Sequence, residues 1–415
     1  MSQLYVPDGT WTLCTEGKKI PRIQVSSQST VRIAGGKLAA TKDDRFDGNF
    51  VCFKMMAAGA VVGALAAAAI AASGGAVLGA FLAAGAAGAA TGSLAGGLVG
   101  KIPSICSLLC KPAQWTQIHP KVKFEKKAAL LQNATLSCLL GGLVTIKMPN
   151  LDLAIDMGLL AGEDIYAESH EGLFDDKKSG VYGNEEQKQR IAGYDRLDTK
   201  SVSALGLDPT MFNDNDGSGF YAAMYKKGDQ YVVAYRGTEG KFNDIAEDGL
   251  QGVGISSKQY DKSVKLAEAI KRNPNFNSSN TTITGHSLGG GLAAIGGGVT
   301  NFPTYTYNAA GVHNSTLKRN QLERKSMNNV QAFNATDDPL NKAQDNRDKV
   351  LGLLGWVGAI ANLTGGLQRA SGQRMEIETS VGIVKGHTAI HIVNQLEQEL
   401  KESGGGNTTV KESDI

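Results

Sequence analysis

The stretch TTITGHSLGGGLAA, residues 281–294, governs how this chain is read. A β-branched run ends at Gly285, and His286, Ser287 and a string of small residues follow. The pattern predicts a strand passing into a helix through one tight turn, with Ser287 on the turn. Such a turn strains the backbone of the serine and leaves its hydroxyl exposed. Glycines two residues before and two after remove side chains that would collide there. The first amides of the following helix, that of Leu288 among them, would then face negative charge developing beside the serine. The alternative is a serine in an ordinary glycine-rich helix start.

A serine hydroxyl is a poor nucleophile without a base. The chain has six histidines. His286 lies inside the turn, with its ring expected to point away from the hydroxyl. His119 and His170 precede the sheet that carries the serine, and His313 comes before any acid in the order Ser, Asp, His. GIVKGHTAIHIVNQL, residues 382–396, leaves His387 and His391. His387, on a loop behind Gly386, is favoured, and His391 is one helical turn further. NNVQAFNATDDPL, residues 328–340, offers Asp337 and Asp338 at a strand end closed by Pro339. Asp338 is preferred, and either carboxylate could hold the imidazole tautomer or merely cap a turn. YVVAYRGTEG, residues 231–240, ends a strand near Thr238, which could supply a second oxyanion donor beside Leu288 or be a plain turn residue.

Around this segment, strands alternate with helices from residue 151 to about 402, implying a mostly parallel α/β sheet. GFYAAMYKKGDQYVVAYRG reads as a hairpin and KQYDKSVKLAEAIKRN as an amphipathic helix. LGLLGWVGAIANLTGGL, residues 351–367, is a lid or interfacial helix, or a core helix. The polar end, 403–415, reads as a disordered tail.

The first 150 residues differ in texture. They carry 15 Lys+Arg against 6 Asp+Glu, whereas the remainder carries 27 against 34. The basic residues lack interleaved stacking aromatics, which argues against nucleic acid and for protein docking or a membrane surface. Residues 55–100 contain no charged side chain. That length suffices for two spans of about 20 residues, and small residues recur every four positions at Gly88, Gly92, Gly96 and Gly100. Either a membrane-inserting hairpin or an Ala/Gly helical hairpin packed on itself fits. Short strands on both sides make 1–150 a single small β domain interrupted by this insert. The five cysteines (Cys14, Cys52, Cys106, Cys110, Cys138) are odd in number and irregularly spaced, so buried free thiols fit better than a disulfide framework or a metal site using His119. MSQLYVPDGTWTLC lacks the basic and apolar regions of a signal peptide.

The second half resembles the class 3 lipases, an α/β-hydrolase family. Their [FY]-R-G-T segment is matched by Tyr235–Thr238 and their G-H-S-L-G-G elbow by residues 285–290. The acid motif is matched loosely by Asp338-Pro339-Leu340-Asn341, which lacks the final proline. Asp244-Ile245-Ala246-Glu247-Asp248 matches D-W-x-x-D without the Trp. The resemblance implies a lipid acyl ester as substrate, Ser287, His387 and Asp338 as catalytic residues, Thr238 and Leu288 as the oxyanion hole, and no metal or cofactor. Residues 1–150 are similar to the PAAR-like domains that tip type VI secretion spikes, through TWTLCTEGKKIPRIQVSSQSTVRIAGGKLAATKDDRFDGNFVCF and W-T-Q-I-H-P-K-V…L-S-C-L-L-G-G-L-V-T-I. That resemblance implies docking on a trimeric spike protein, a chaperone for the apolar insert, a cognate immunity protein and export without a signal peptide. Together these features predict an antibacterial effector whose serine lipase or phospholipase acts at a target-cell membrane. The alternatives are a soluble carboxylesterase on non-lipid substrates and an inactive spike-tip component.

Overall fold

The structure, a computed structural model, describes residues 4–17, 20–33, 36–48, 50, 110, 112–138, 141–167, 184–213, 218–237, 258–345, 368, 370–379 and 387–402. The hairpin expected at 55–100, the segment 351–367 and the tail 403–415 lie outside these residues. No helix among the described residues is long and apolar enough to cross a membrane. The chain forms two compact units, Met1–Pro149 and Asn150–Lys401.

The described residues of the first unit form β1 (Trp11–Cys14), β2 (Arg22–Gln24), β3 (Arg32–Ile33), β4 (Lys37–Leu38), β5 (Arg45–Asp47), β6 (Lys123–Phe124), β7 (Lys127–Ala128), β8 (Thr135–Ser137) and β9 (Leu143–Lys147). An antiparallel sheet runs β5-β2-β1-β9-β8, so sequence from both sides of the 55–100 run shares one sheet. The β6–β7 turn puts Glu125 and Lys126 at φ 44° and 70°, the paired positive φ of a tight hairpin.

Three segments of this unit repeat one conformation around a common ring. At its centre lie Val6, Ala40 and Leu130, each fully buried. Ala40 N–H donates to the Val6 carbonyl (2.8 Å), Val6 N–H to that of Leu130 (3.2 Å), and Leu130 N–H to that of Ala40 (3.0 Å). A second ring follows in the same rotation: Asp8 to Leu38, Lys42 to Ala128 and Gln132 to Leu4, at 2.8–2.9 Å. Each segment then makes the same turn, with Thr10, Asp44 and Ala134 donating to Pro7, Thr41 and Leu131. A strand begins five residues past each central residue, at Trp11, Arg45 and Thr135. The unit is therefore pseudo-threefold, and the uncharged run falls between its second and third repeats. Phe46, Phe50, Trp115, Leu136 and Val144 fill the core around the ring. None of the three described cysteines, Cys14, Cys110 and Cys138, is in a disulfide. No group of described His, Cys, Asp and Glu residues could hold a metal ion.

The second unit is an α/β domain whose described strands form one mixed sheet. They are β10 (Asp195–Arg196), β11 (Ala222–Lys227), β12 (Gln230–Tyr235), β13 (Thr281–His286), β14 (Thr304–Tyr307), β15 (Val330–Ala335) and β16 (Gln373–Ile377), neighbours in that order. β10, β11 and β12 pair antiparallel, and β12 through β16 pair parallel. The β11–β12 hairpin turns at Gly228, whose φ is +59°. Helices α1 (Leu151–Leu159), α2 (Glu185–Ile191), α3 (Thr199–Ala204), α4 (258–272), α5 (Leu288–Thr300), α6 (Asn314–Arg319), α7 (Pro339–Asp345) and α8 (Ala389–Glu402) accompany it. Val233, Tyr235 and Ile283 on the sheet pack with Leu266 and Ile270 of α4 and Leu292 and Ile295 of α5. The parallel strands all direct their carboxyl ends to one edge, where α/β sheets place their sites.

On the sheet's other face, α1 is capped by the Asn150 side chain and anchored by Thr284 Oγ1–H on the Met157 carbonyl (3.0 Å). It continues through a π-helical turn, Leu160–Asp164, that buries Glu163 to 5% exposure. Desolvation pushes that carboxyl up to about 8. The folded protein thus keeps a proton that the unfolded chain releases above its ordinary 4.5. The contribution of this carboxyl to stability falls as pH rises from about 4.5 to 8 and levels off above. Glu163→Gln is expected to abolish that slope and to gain about 3 kcal/mol at pH 7. Denaturant unfolding of both proteins at pH 5 and pH 8 checks this, and a stability difference between them that is the same at both pH values would contradict it.

Candidate active site

β13 is buried along its whole length and delivers Ser287 at φ 57°, ψ −126°, a conformation that side-chain-bearing residues rarely adopt. The backbone approach there explains the two glycines. A Cβ on Gly285 would lie 2.1 Å from the Gly289 carbonyl oxygen, and one on Gly289 would lie 2.2 Å from that of Tyr235. Four backbone hydrogen bonds hold the strained residue. Its N–H donates to the Tyr307 carbonyl (3.0 Å), and its own carbonyl accepts from Gly290, Gly291 and Ala310 (2.9–3.3 Å).

His387, immediately before α8, places Nε2 2.9 Å from Ser287 Oγ and Nδ1 2.7 Å from Asp338 Oδ1. Asp338 is fully buried, and His387 and Ser287 are nearly so. The two readings of Asp338 coexist, because each oxygen serves one of them. Oδ1 faces the imidazole, while Oδ2 accepts from Asn341 N–H (2.7 Å) at the start of α7, where Pro339 opens the helix. Asp337 turns elsewhere and accepts from Thr379 Oγ1–H. His391 lies one turn along α8, and His313 caps α6 through Ser315 N–H (3.1 Å).

Leu288 is the first residue of α5, so its N–H has no acceptor within the helix and sits beside the serine. Thr238 lies outside the described residues. Gly237, just before it, marks where β12 arrives: a Cβ built there would be 3.4 Å from Ser287 Cβ. Its N–H donates to Tyr166 Oη (2.9 Å), just beyond the π-helical turn.

Sequence reasoning missed two neighbours of His387. The His286 ring, expected only to point away from the hydroxyl, has Nε2 at 2.6 Å from the His387 carbonyl, the two rings lying 5.0 Å apart. Burial, and next the His387 ring, push the His286 imidazole down to about 3, so it stays neutral. Asn308, at the carboxyl end of β14 with φ 42°, donates from Nδ2 to the same carbonyl at 2.9 Å. The only hint of either in the sequence is a polar residue at a strand end.

A mixed α/β sheet with a serine on its strand–helix turn, hydrogen-bonded to an imidazole that meets a buried carboxylate, is an arrangement suited to ester hydrolysis. The comparisons agree: residues 176–410, more than half of the chain, match the Tle-like phospholipase domain, and the chain belongs to that family. Residues 6–150 match DUF4280, a domain of unknown function and a PAAR-like family. The extracellular phospholipase A1 of Serratia liquefaciens is similar, being 39% identical over 131 residues. That match takes in 32% of this chain and 40% of the relative, so the chain spans less than half the length of that protein. The second unit is accordingly a phospholipase-like, ester-hydrolysing domain.

Proposed function

We propose that the second unit is a serine phospholipase of the α/β-hydrolase type, close to the class 3 lipases, that releases fatty acids from membrane phospholipids. The observation that carries this reading is the continuous hydrogen-bonded chain from Ser287 through His387 to Asp338. As substrate enters, His387 Nε2 takes the hydroxyl proton and Ser287 Oγ bonds to the ester carbonyl carbon. Leu288 N–H and Thr238 stabilise the resulting oxyanion. Asp338 stabilises the imidazolium, which returns its proton to the departing alcohol. Water, deprotonated by the same imidazole, then attacks the acyl-enzyme and frees the acid and Ser287. No metal enters these steps.

In this reading the protein is a type VI secretion effector acting at the membrane of a target cell. Its first unit docks on a trimeric spike protein, and the pseudo-threefold ring around Val6, Ala40 and Leu130 supports a partner of matching symmetry. The run 55–100 serves membrane passage, with a chaperone before delivery and an immunity protein in the producer. The preformed hydrogen-bonded chain speaks against an inactive spike component. A soluble non-lipid esterase is the remaining alternative.

Incubation of the full chain with phosphatidylethanolamine–phosphatidylglycerol vesicles and, separately, with soluble short-chain esters distinguishes the two. Mass analysis of the products is expected to show free fatty acid and lysophospholipid, which also fixes the acyl position. Turnover of the soluble esters alone would overturn the phospholipase assignment.

A further inference from the structure

We propose that His286 and Asn308 are positioning residues that clamp the backbone carbonyl of His387 and so hold its ring between Ser287 and Asp338. This inference rests on the serine-hydrolase reading above. Two buried donors converge on that one carbonyl, His286 Nε2–H at 2.6 Å and Asn308 Nδ2–H at 2.9 Å. A carbonyl only accepts, so Nε2 of His286 carries the proton, and a neutral ring supplies it without placing a second positive charge beside the imidazolium. Asn308 joins the other components of the site. Its Oδ1 accepts from Ala335 N–H (2.8 Å), where β15 ends, and from Asn341 Nδ2–H (3.0 Å). Asn341 N–H in turn holds Asp338 Oδ2 (2.7 Å). The residue beside the nucleophile, the base and the acid loop therefore share a second hydrogen-bond network, distinct from the one that relays the proton. His387 follows the stretch 380–386, and this network fixes its main chain directly to the sheet edge. A displacement of about 1 Å at a reacting group can cost on the order of a hundredfold in rate.

The test compares His286→Gln with His286→Asn in the full chain. The glutamine amide nitrogen is as many bonds from Cα as histidine Nε2, whereas that of asparagine is one bond short. Both substitutions keep the position polar, and thermal unfolding of each checks that it folds. The readouts are kcat and KM on phospholipid vesicles, labelling of Ser287 by a fluorophosphonate, and the far-downfield proton resonance of the His387–Asp338 hydrogen bond. His286→Asn is expected to lose roughly 10- to 100-fold in kcat with KM little changed. It should lose the downfield resonance as well, and His286→Gln should restore both. Equal kcat and an intact resonance in both variants would overturn the clamp, as would equal impairment in both. Failure of the fluorophosphonate to label wild type would instead count against the nucleophile assignment, and the resonance would still decide the clamp.

Discussion

Alanine at position 287 is expected to lower phospholipid acyl release by at least about 10⁴-fold, with the fold intact. The size of the effect follows from what is removed. Alanine keeps the Cβ, so the turn at φ 57° with its four backbone hydrogen bonds persists. What disappears is the oxygen hydrogen-bonded to His387 Nε2. Water cannot substitute efficiently, because it would have to be held in the same orientation on the same imidazole. Residual activity from oxyanion donors and binding sets the floor of the loss. Fatty-acid release from vesicles, alongside thermal unfolding of both proteins, checks it. Equal release by Ser287→Ala and wild type would remove Ser287 from the mechanism.

Asp338→Asn should be nearly as damaging, at about 10³- to 10⁴-fold in kcat, while Asp337→Asn stays close to wild type. The carboxylate is wholly buried, with one oxygen on His387 Nδ1 and the other on Asn341 N–H. An amide fits the space but carries no charge to stabilise the imidazolium, and its NH₂ group cannot accept from Nδ1–H. Turning the amide to present its oxygen to the ring would aim NH₂ at Asn341 N–H, leaving a buried donor unsatisfied. Asp337, one residue away, accepts instead from Thr379 Oγ1–H. Kinetics of the two variants separate the neighbours. Equal damage from both would show that the loop as a whole, and not one carboxylate, sets the rate.

The sequence announces those parts of the site whose residue type is dictated by local geometry. Gly285 and Gly289 are visible because no side chain fits against the crossing backbone, and Asp338 because a strand-end acid meets a helix-opening proline. What stayed hidden depends on contacts between segments far apart in the chain. The sequence offers His286 only as a histidine inside the turn, and its partner is a carbonyl 101 residues away, a group every residue possesses. Asn308 is one of many asparagines, and only the convergence of β14, β15 and the His387 loop gives it a role. The first unit's repeats escaped notice for a related reason. Pro7-Asp8-Gly9, Thr41-Lys42-Asp43 and Leu131-Gln132-Asn133 share a turn but almost no residues, since backbone hydrogen bonds make the ring and tolerate varied side chains. Unequal spacing, with the uncharged run between the second and third, masks the period further.

The order of those repeats along the chain bears on synthesis. Val6 and Ala40 leave the ribosome early, but each must hydrogen-bond to Leu130, so the circle cannot close until translation has passed the uncharged run. Contacts spanning such sequence distances form slowly. The nascent protein therefore presents two-thirds of a ring together with forty-six uncharged residues for as long as that stretch takes to make. A factor that guards the run during elongation would meet it before the domain around it is complete.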